Sequence, residues 1–274
     1  MAQKLLTRRR IILGAGATAA LGVVDAFGVE PNWLDVNHHD VPVPKLPRAL
    51  EGFRIAQVTD AHLHDLGAVE NAIVREVEKL DVRLVLLTGD IINDAYGFPL
   101  LQDFCRALAT RSRSLVATYG NWEHWGQIPP DVLAKTYGAV GATLVVNDAI
   151  TIDSALGIVA TDDSLSGQVR LNDALARRPS SPVSLFLTHC PELFDRMPPS
   201  AGRFDLSLAG HTHGGQARLG PFAPFLPPGS GRFVSGWYDT PCGRAYVSRG
   251  TGTSIAPARF ACRPELPIFT LRRA

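Results

Sequence analysis

A layered α/β fold is predicted by three features of the sequence. Short apolar runs alternate with stretches whose apolar residues recur every three to four positions. The chain has 274 residues, 46% hydrophobic and 19% charged, which suits a large packed core and argues against intrinsic disorder. Its 25 glycines and 20 prolines mark many loops, the segments that carry sites on a rigid scaffold.

The elements follow in order. Residues 28–50, Pro-rich from Pro31 to Pro47, read as an extended linker or edge strand before a domain spanning 51–274. Phe53 to Thr59 is a strand ending at Asp60. Val69, Ile73, Val77 and Leu80 share one face of a helix. Val82 to Thr88 is apolar enough for a strand buried on both faces, and it ends Gly89-Asp90. A helix from Pro99 to Thr110 leads to a strand, Leu115 to Tyr119, ending Gly120-Asn121. A helix at Pro130–Tyr137 precedes strands at 143–146, 149–153 and 157–161, then a helix at 168–178. Val183 to Leu187 runs into Thr188-His189, and Leu206 to Ala209 into Gly210-His211. Strands at 244–248 and 267–271 close the chain. The βα alternation gives the layers, and the second half is expected to turn antiparallel.

The formal charge of +1 hides an asymmetry. Residues 1–27 carry Lys4, Arg8, Arg9 and Arg10 against the single acid Asp25, so the rest of the chain is net acidic. No basic surface excess calls for nucleic acid as a partner. The order of the leader, a basic start and then the apolar run Ile11 to Val24, reads as a targeting segment too short to span a bilayer. Thr7-Arg8-Arg9-Arg10-Ile11-Ile12-Leu13 resembles a twin-arginine export signal. No clean A-x-A cleavage site appears before residue 30, since Ala15-Gly-Ala17 and Ala17-Thr-Ala19 fall inside the apolar run, so the leader is read as a signal or as a retained membrane anchor. The expected location is the cell envelope, periplasmic or membrane-tethered, with the export machinery as a partner. Cys105, Cys190, Cys242 and Cys262 are too far apart for a C-x-x-C motif, and Cys242 with Cys262 is the pair an oxidising compartment would join.

Five strand ends carry the chemistry: Asp60-Ala61-His62, Gly89-Asp90, Gly120-Asn121, His189 and Gly210-His211-Thr212-His213. Ligands of open α/β sheets gather at the carboxyl ends of strands. Taken singly, Asp60 and Asp90 read equally well as helix caps and Asn121 as a turn residue. Together they offer two carboxylates, one amide oxygen and four imidazoles. A set of oxygen and nitrogen donors without thiolate suits Mn, Fe, Zn or Mg.

On these motifs the chain resembles the calcineurin-like metallophosphoesterases, whose pattern is D-x-H, G-D, G-N-H-D/E, H and G-H-x-H. The tail from Tyr246 through Arg249-Gly-Thr-Gly-Thr253 to Pro264-Glu265, with His213-Gly-Gly-Gln216, is similar to a bacterial branch. That branch holds twin-arginine-exported phosphoesterases and relatives that cleave UDP-2,3-diacylglucosamine. The resemblance implies a four-layer α/β/β/α sandwich and two divalent metal ions. One would take Asp60, His62, Asp90 and His213; the other Asp90, Asn121, His189 and His211, with Asp90 bridging and serving as the catalytic carboxylate. Paired cations deprotonate a shared water and clamp phosphate oxygens, which gives in-line phosphoester hydrolysis by a metal-bridging hydroxide. The substrate it implies is a phosphodiester or pyrophosphate, with a lipid-linked one among the candidates. Nucleotides or phosphoproteins are the alternatives, as is a metal-holding protein without catalysis.

One position breaks the pattern. Where the family has histidine after the motif asparagine, this chain has Trp122, whose indole cannot supply a proton. Glu123 aligns with the family's acid. His124, two places late, is the candidate catalytic acid; the alternatives are a loop cap, or no acid at all with a good leaving group. Gln216 and Arg218, just past the last ligand, are candidate substrate-binding groups. His64 and Asp65, close behind Asp60-Ala-His62, read as exposed loop or else as groups that support the ligands or meet substrate, and His38 and His39 read as surface residues. The aromatic segment Pro221–Trp237 reads either as a packed loop or as an apolar lip for a lipid tail or membrane.

Overall fold

Every residue of the run Leu84–Thr88 is buried, and its side chains divide by the two-residue period of a strand. Leu84 and Leu86 enter one apolar core, Val85 and Leu87 another. That division organises the molecule, because a strand apolar on both sides needs a layer on each. A computed structural model describes residues 16, 18 and 20–274, and the leader motif Thr7–Leu13 lies outside the described residues.

Two six-stranded sheets stack face to face. The first runs β1 (Asp35–Val43), β12 (Glu265–Arg273), β2 (Arg54–Val58), β3 (Leu84–Thr88), β4 (Ser114–Thr118) and β5 (Ala142–Leu144). The second runs β10 (Gly236–Thr240), β11 (Gly243–Val247), β9 (Phe204–Ala209), β8 (Val183–Leu187), β7 (Leu156–Ala160) and β6 (Asp148–Ile152). Between them Ile55, Leu86 and Val116 meet Ile158, Leu185 and Leu208. The outer face of the first sheet is covered by α1 (Ala68–Lys79), α2 (Phe98–Leu108) and α4 (Pro130–Gly138), through Ile73, Val77, Phe104 and Leu133. The outer face of the second is covered more thinly, by α5 (Leu171–Ala176) and the turns at 191–196, with Ala174, Phe194 and Phe233 against Phe186. The result is a four-layer α/β/β/α sandwich.

Two expectations need correction, and one pair of alternatives is resolved. The second half turns antiparallel only in part: β6, β10 and β12 oppose β7, β11 and β2, whereas β7, β8, β9 and β11 are mutually parallel. The connections β7–β8 and β8–β9 pass over the outer face, and a crossover returns the chain in the same direction. Of the two readings of the Pro-rich segment, the edge strand holds for residues 35–43, which form β1 at the end of the first sheet, parallel to β12, with Val41 and Val43 buried. His39 is no surface residue, since its ring sits among Trp237, Tyr246 and Phe269 at centroid distances of 5.5, 4.7 and 5.4 Å.

Cys242 and Cys262 are not joined, and all four cysteines are free and buried. Cys242 meets Ser207 and Thr240, while Cys262 points at the carbonyl of His213. Among the described residues no helix is long and apolar enough to cross a membrane.

Candidate metal centre

Parallel strands deliver the site residues to one edge. Asp60 and His62 follow β2, and Asp90 follows β3. Asn121 opens the short helix α3 (Asn121–Trp125) after β4; His189 follows β8, and His211 and His213 follow β9. Ligand atoms of Asp60, His62 and His213 lie within 4.8 Å of one another, as do those of Asp90, His189 and His211. Asn121 joins the second group, its Oδ1 2.9 Å from His211 Nδ1 and 3.2 Å from His189 Nε2. Asp90 links the two groups, with Oδ2 3.1 Å from His189 Nε2 and 3.9 Å from His62 Nε2. All seven side chains are buried.

The backbone is bent to make this possible. Asp60, His62, Asp90, His211 and His213 all have positive φ, between 45° and 71°. Side chains rarely adopt that region, and its cost persists where the surroundings over-determine it. Neighbouring chain approaches closely enough to do so. A Cβ on Gly120 would lie 2.2 Å from Asp90 Oδ1, and one on Gly210 2.3 Å from Asp60 Oδ2. Glu123 is the clamp: its buried carboxylate accepts from the N–H groups of Asp90, Ile91 and Gly120 at 2.8–3.0 Å. The Trp122 N–H donates to Asp90 Oδ1 at 2.8 Å.

The imidazoles are oriented as ligands. His62 Nδ1 meets Asn93 Oδ1 at 2.7 Å, His189 Nδ1 meets the Thr88 carbonyl at 2.8 Å, and His211 Nε2 meets the Pro228 carbonyl at 2.6 Å. Each outer acceptor holds a proton on that nitrogen and turns the other toward the centre. Burial, with His62 beside it, keeps His213 well below the ordinary imidazole range and therefore neutral. Burial raises the Asp60 carboxyl. It also works against the charge on Asp90, but the adjoining His189 outweighs it and holds that carboxyl low. This convergence of imidazole nitrogens, an amide oxygen and two buried carboxylates fits a pair of divalent metal ions.

The structure places the remaining candidates elsewhere. His124 bonds Asp162 Oδ1 at 2.7 Å through Nε2 and packs on Tyr119, 4.4 Å between centroids. Trp122, not His124, stands against His62, at 5.3 Å and nearly edge-on. Gln216 spends its amide on Ser254 and Ala256. Arg218 donates to the Gly214 carbonyl and Ser235 Oγ, so both side chains tie loops together. His64 and Asp65 are exposed on the rim of a cleft of about 200 Å³ that His62 also lines. Sequence reasoning missed Asn93, three residues beyond Asp90, whose only signal was an amide in a turn beside a ligand.

A double-sheet α/β sandwich with two adjoining oxygen and nitrogen donor groups at its strand ends defines a metal-dependent phosphoester hydrolase. The chain belongs to the calcineurin-like phosphoesterase family, whose profile matches residues 53–215. It is 29% identical to the uncharacterized metallophosphoesterase YkuE of Bacillus subtilis over 98% of this chain and 99% of that one. It is also 29% identical to phosphodiesterase YaeI of Escherichia coli, over 97% and 100%. Identity to UDP-2,3-diacylglucosamine pyrophosphatase LpxG of Chlamydia muridarum is 24%, over 92% and 94%.

Proposed function

We propose that this chain is a dinuclear phosphodiesterase or pyrophosphatase of the cell envelope whose substrate carries its phosphate on a lipid. The observation that carries the lipid part is an apolar rim. Leu219, Phe222 and Phe225 are 61–77% exposed on the loop that follows His213, and Ile255 is 97% exposed. Gln216 bonds Ser254 and Ala256, and Arg218 N–H bonds the Phe260 carbonyl, so these loops form one surface. Exposed aromatics beside a centre for anions suit a phosphate attached to acyl chains. The names of the relatives YaeI and LpxG support the same reaction class and, for LpxG, a lipid headgroup.

Two divalent ions (Mn, Fe, Zn or Mg) would be held by Asp60, His62 and His213 with Asp90, and by Asp90, Asn121, His189 and His211. When bound, they supply positive charge at the phosphate and acidify water. The chain's own residues do the rest. Asp90 couples the two positions while the Trp122 N–H fixes its free oxygen. The Trp122 indole packs edge-on against the His62 ring. Trp122 rather than His124 stands against His62, and His124 Nε2 is turned to Asp162, so we read the leaving oxygen as departing without a side-chain acid, which favours phosphoanhydrides and other good leaving groups. The envelope location and the export partner rest on the leader sequence alone.

The test is turnover by purified, Mn-loaded full-length chain. Lipid pyrophosphates of increasing acyl length, a nucleotide diester and a phosphopeptide would be compared. Rates rising with acyl length support the reading. Equal rates across lengths, or preference for the nucleotide or peptide, overturn the lipid part; no turnover at all leaves a metal-holding protein.

A further inference from the structure

The largest fully buried side chain is Arg259, and nothing in the site residues above accounts for it. A buried cation needs compensation. Yet no carboxylate is within ion-pair distance of it among the described residues, and the nearby Glu265 is taken by Arg249. Arg259 instead donates to main-chain carbonyls: Nε to Gly252 at 3.0 Å, Nη1 to Cys262 at 2.9 Å, and Nη2 to Arg249 and Gly250 at 2.9 and 3.2 Å. Three of these carbonyls belong to one strap, residues 249–252. The other side of the strap faces the metal centre. Thr251 N–H donates to the Thr59 carbonyl at 3.0 Å and Gly252 N–H to the Asp60 carbonyl at 2.8 Å. Gly250, at φ +72°, lies so close that a Cβ would sit 2.7 Å from Asp60 Cβ. The strap therefore holds Asp60 in its left-handed conformation, and Arg259 holds the strap.

We propose that Arg259 is a positioning residue for the metal position built on Asp60, His62 and His213, acting through the 249–252 strap. This rests on the reading of Asp60 as a metal ligand. The guanidinium is suited to the task because its planar fork reaches several acceptors at once; a lysine ammonium keeps the charge but cannot span them. Outer groups that orient ligands shift metal affinity by about 10–100-fold when removed.

Calorimetric titration of metal-free full-length chain with Mn2+ tests this, using wild type, Asp60→Asn, Arg259→Met and Arg259→Lys. Wild type is expected to give two binding constants. Asp60→Asn should abolish or weaken one of them, and unchanged constants in that variant would refute the ligand reading itself. Arg259→Met should weaken that same constant about tenfold or more and leave the other within about twofold. Should Arg259→Met not fold, Arg259→Lys decides by the same pattern with a smaller loss. If either folded variant loses thermal stability yet keeps both constants, or weakens both equally, the brace serves the fold only and the proposal is overturned.

Discussion

The imidazoles of His62 and His213 face each other with their Nε2 atoms 3.2 Å apart and their rings 16° from parallel. With His62 Nδ1 directed at Asn93, its inner nitrogen is a lone pair, and His213 is held neutral by burial. Two lone pairs at that distance, beside the buried carboxylate of Asp60, are mutually unfavourable until a cation sits among them. Metal removal is therefore expected to destabilise the fold. At a hundredfold excess over Kd, a bound metal adds about 2.7 kcal/mol. For a chain of this size that is a rise of roughly 5–10 °C in melting temperature per site. Thermal scans with chelator and after Mn2+ addition check this; coincident curves would contradict it.

Asp90 is expected to be the least replaceable of the seven. It lies 3.1 Å from His189 and 3.9 Å from His62, so Asp90→Ala removes a donor from both groups at once. Diester hydrolysis should fall by a factor of roughly 1,000 or more, since the paired ions contribute several kcal/mol. Bound metal measured by emission spectroscopy should fall with it. Retention of activity would show that the two groups work independently.

His124 and Asp162 give a pH signature separate from catalysis. Burial disfavours the charge on His124, but the Asp162 bond outweighs it and lifts the imidazole above its ordinary 6.5. Burial likewise opposes the Asp162 charge, and the same bond brings that carboxyl below its ordinary 3.8. A raised histidine contributes stability fully below about pH 6.5 and loses it as pH climbs through the folded value. A depressed aspartate contributes fully above about pH 4 and loses it as pH falls. His124→Gln should therefore cost about 1–3 kcal/mol near pH 6 and less at pH 9, read by urea unfolding. His124→Ala should change hydrolysis of a nitrophenyl diester and an alkyl diester alike. A selective loss of about 100-fold or more on the alkyl diester would restore the acid role.

The same contrast explains what was legible in the sequence. The ligand set could be read because each member follows a strand whose apolar run is buried on both faces, as Val183–Leu187 is. Such runs are also the mark of parallel strands, and the antiparallel expectation for the second half overlooked it. β1 was harder: Asp35–Val43 reads DVNHHDVPV, and its place depends on pairing with β12, more than 200 residues away. Arg259 and Glu30 were invisible for the same reason. Their partners come together only in the fold.

Glu30 tests whether the Pro-rich segment is part of the domain. Its buried carboxylate accepts from the N–H groups of Ala261 (2.7 Å) and Cys262, while Arg259 N–H donates to the Ala26 carbonyl. Glu30→Ala would leave two N–H groups without their acceptor. The expected loss is about 2–4 kcal/mol in urea unfolding. A loss below about 0.5 kcal/mol would mean that the stretch before β1 does not contribute to the stability of the domain.

The apolar rim yields the prediction most specific to the substrate. Phe222 and Phe225 are 61% and 77% exposed, so replacing them with serine removes apolar surface without opening the core. On the lipid reading, turnover of soluble substrates without an acyl chain should not change. A substrate whose acyl chain lies along the rim would lose the burial of each ring, about 1.5–3 kcal/mol when complete. For the double variant kcat/KM on a long-chain lipid pyrophosphate should fall about tenfold or more, with a short-chain analogue nearly unaffected. The chain-length dependence itself should flatten if the rings are what distinguish long chains from short. Equal losses on a nitrophenyl diester and on the long-chain lipid would instead place the rings in support of the His213 loop, and the lipid assignment would fall.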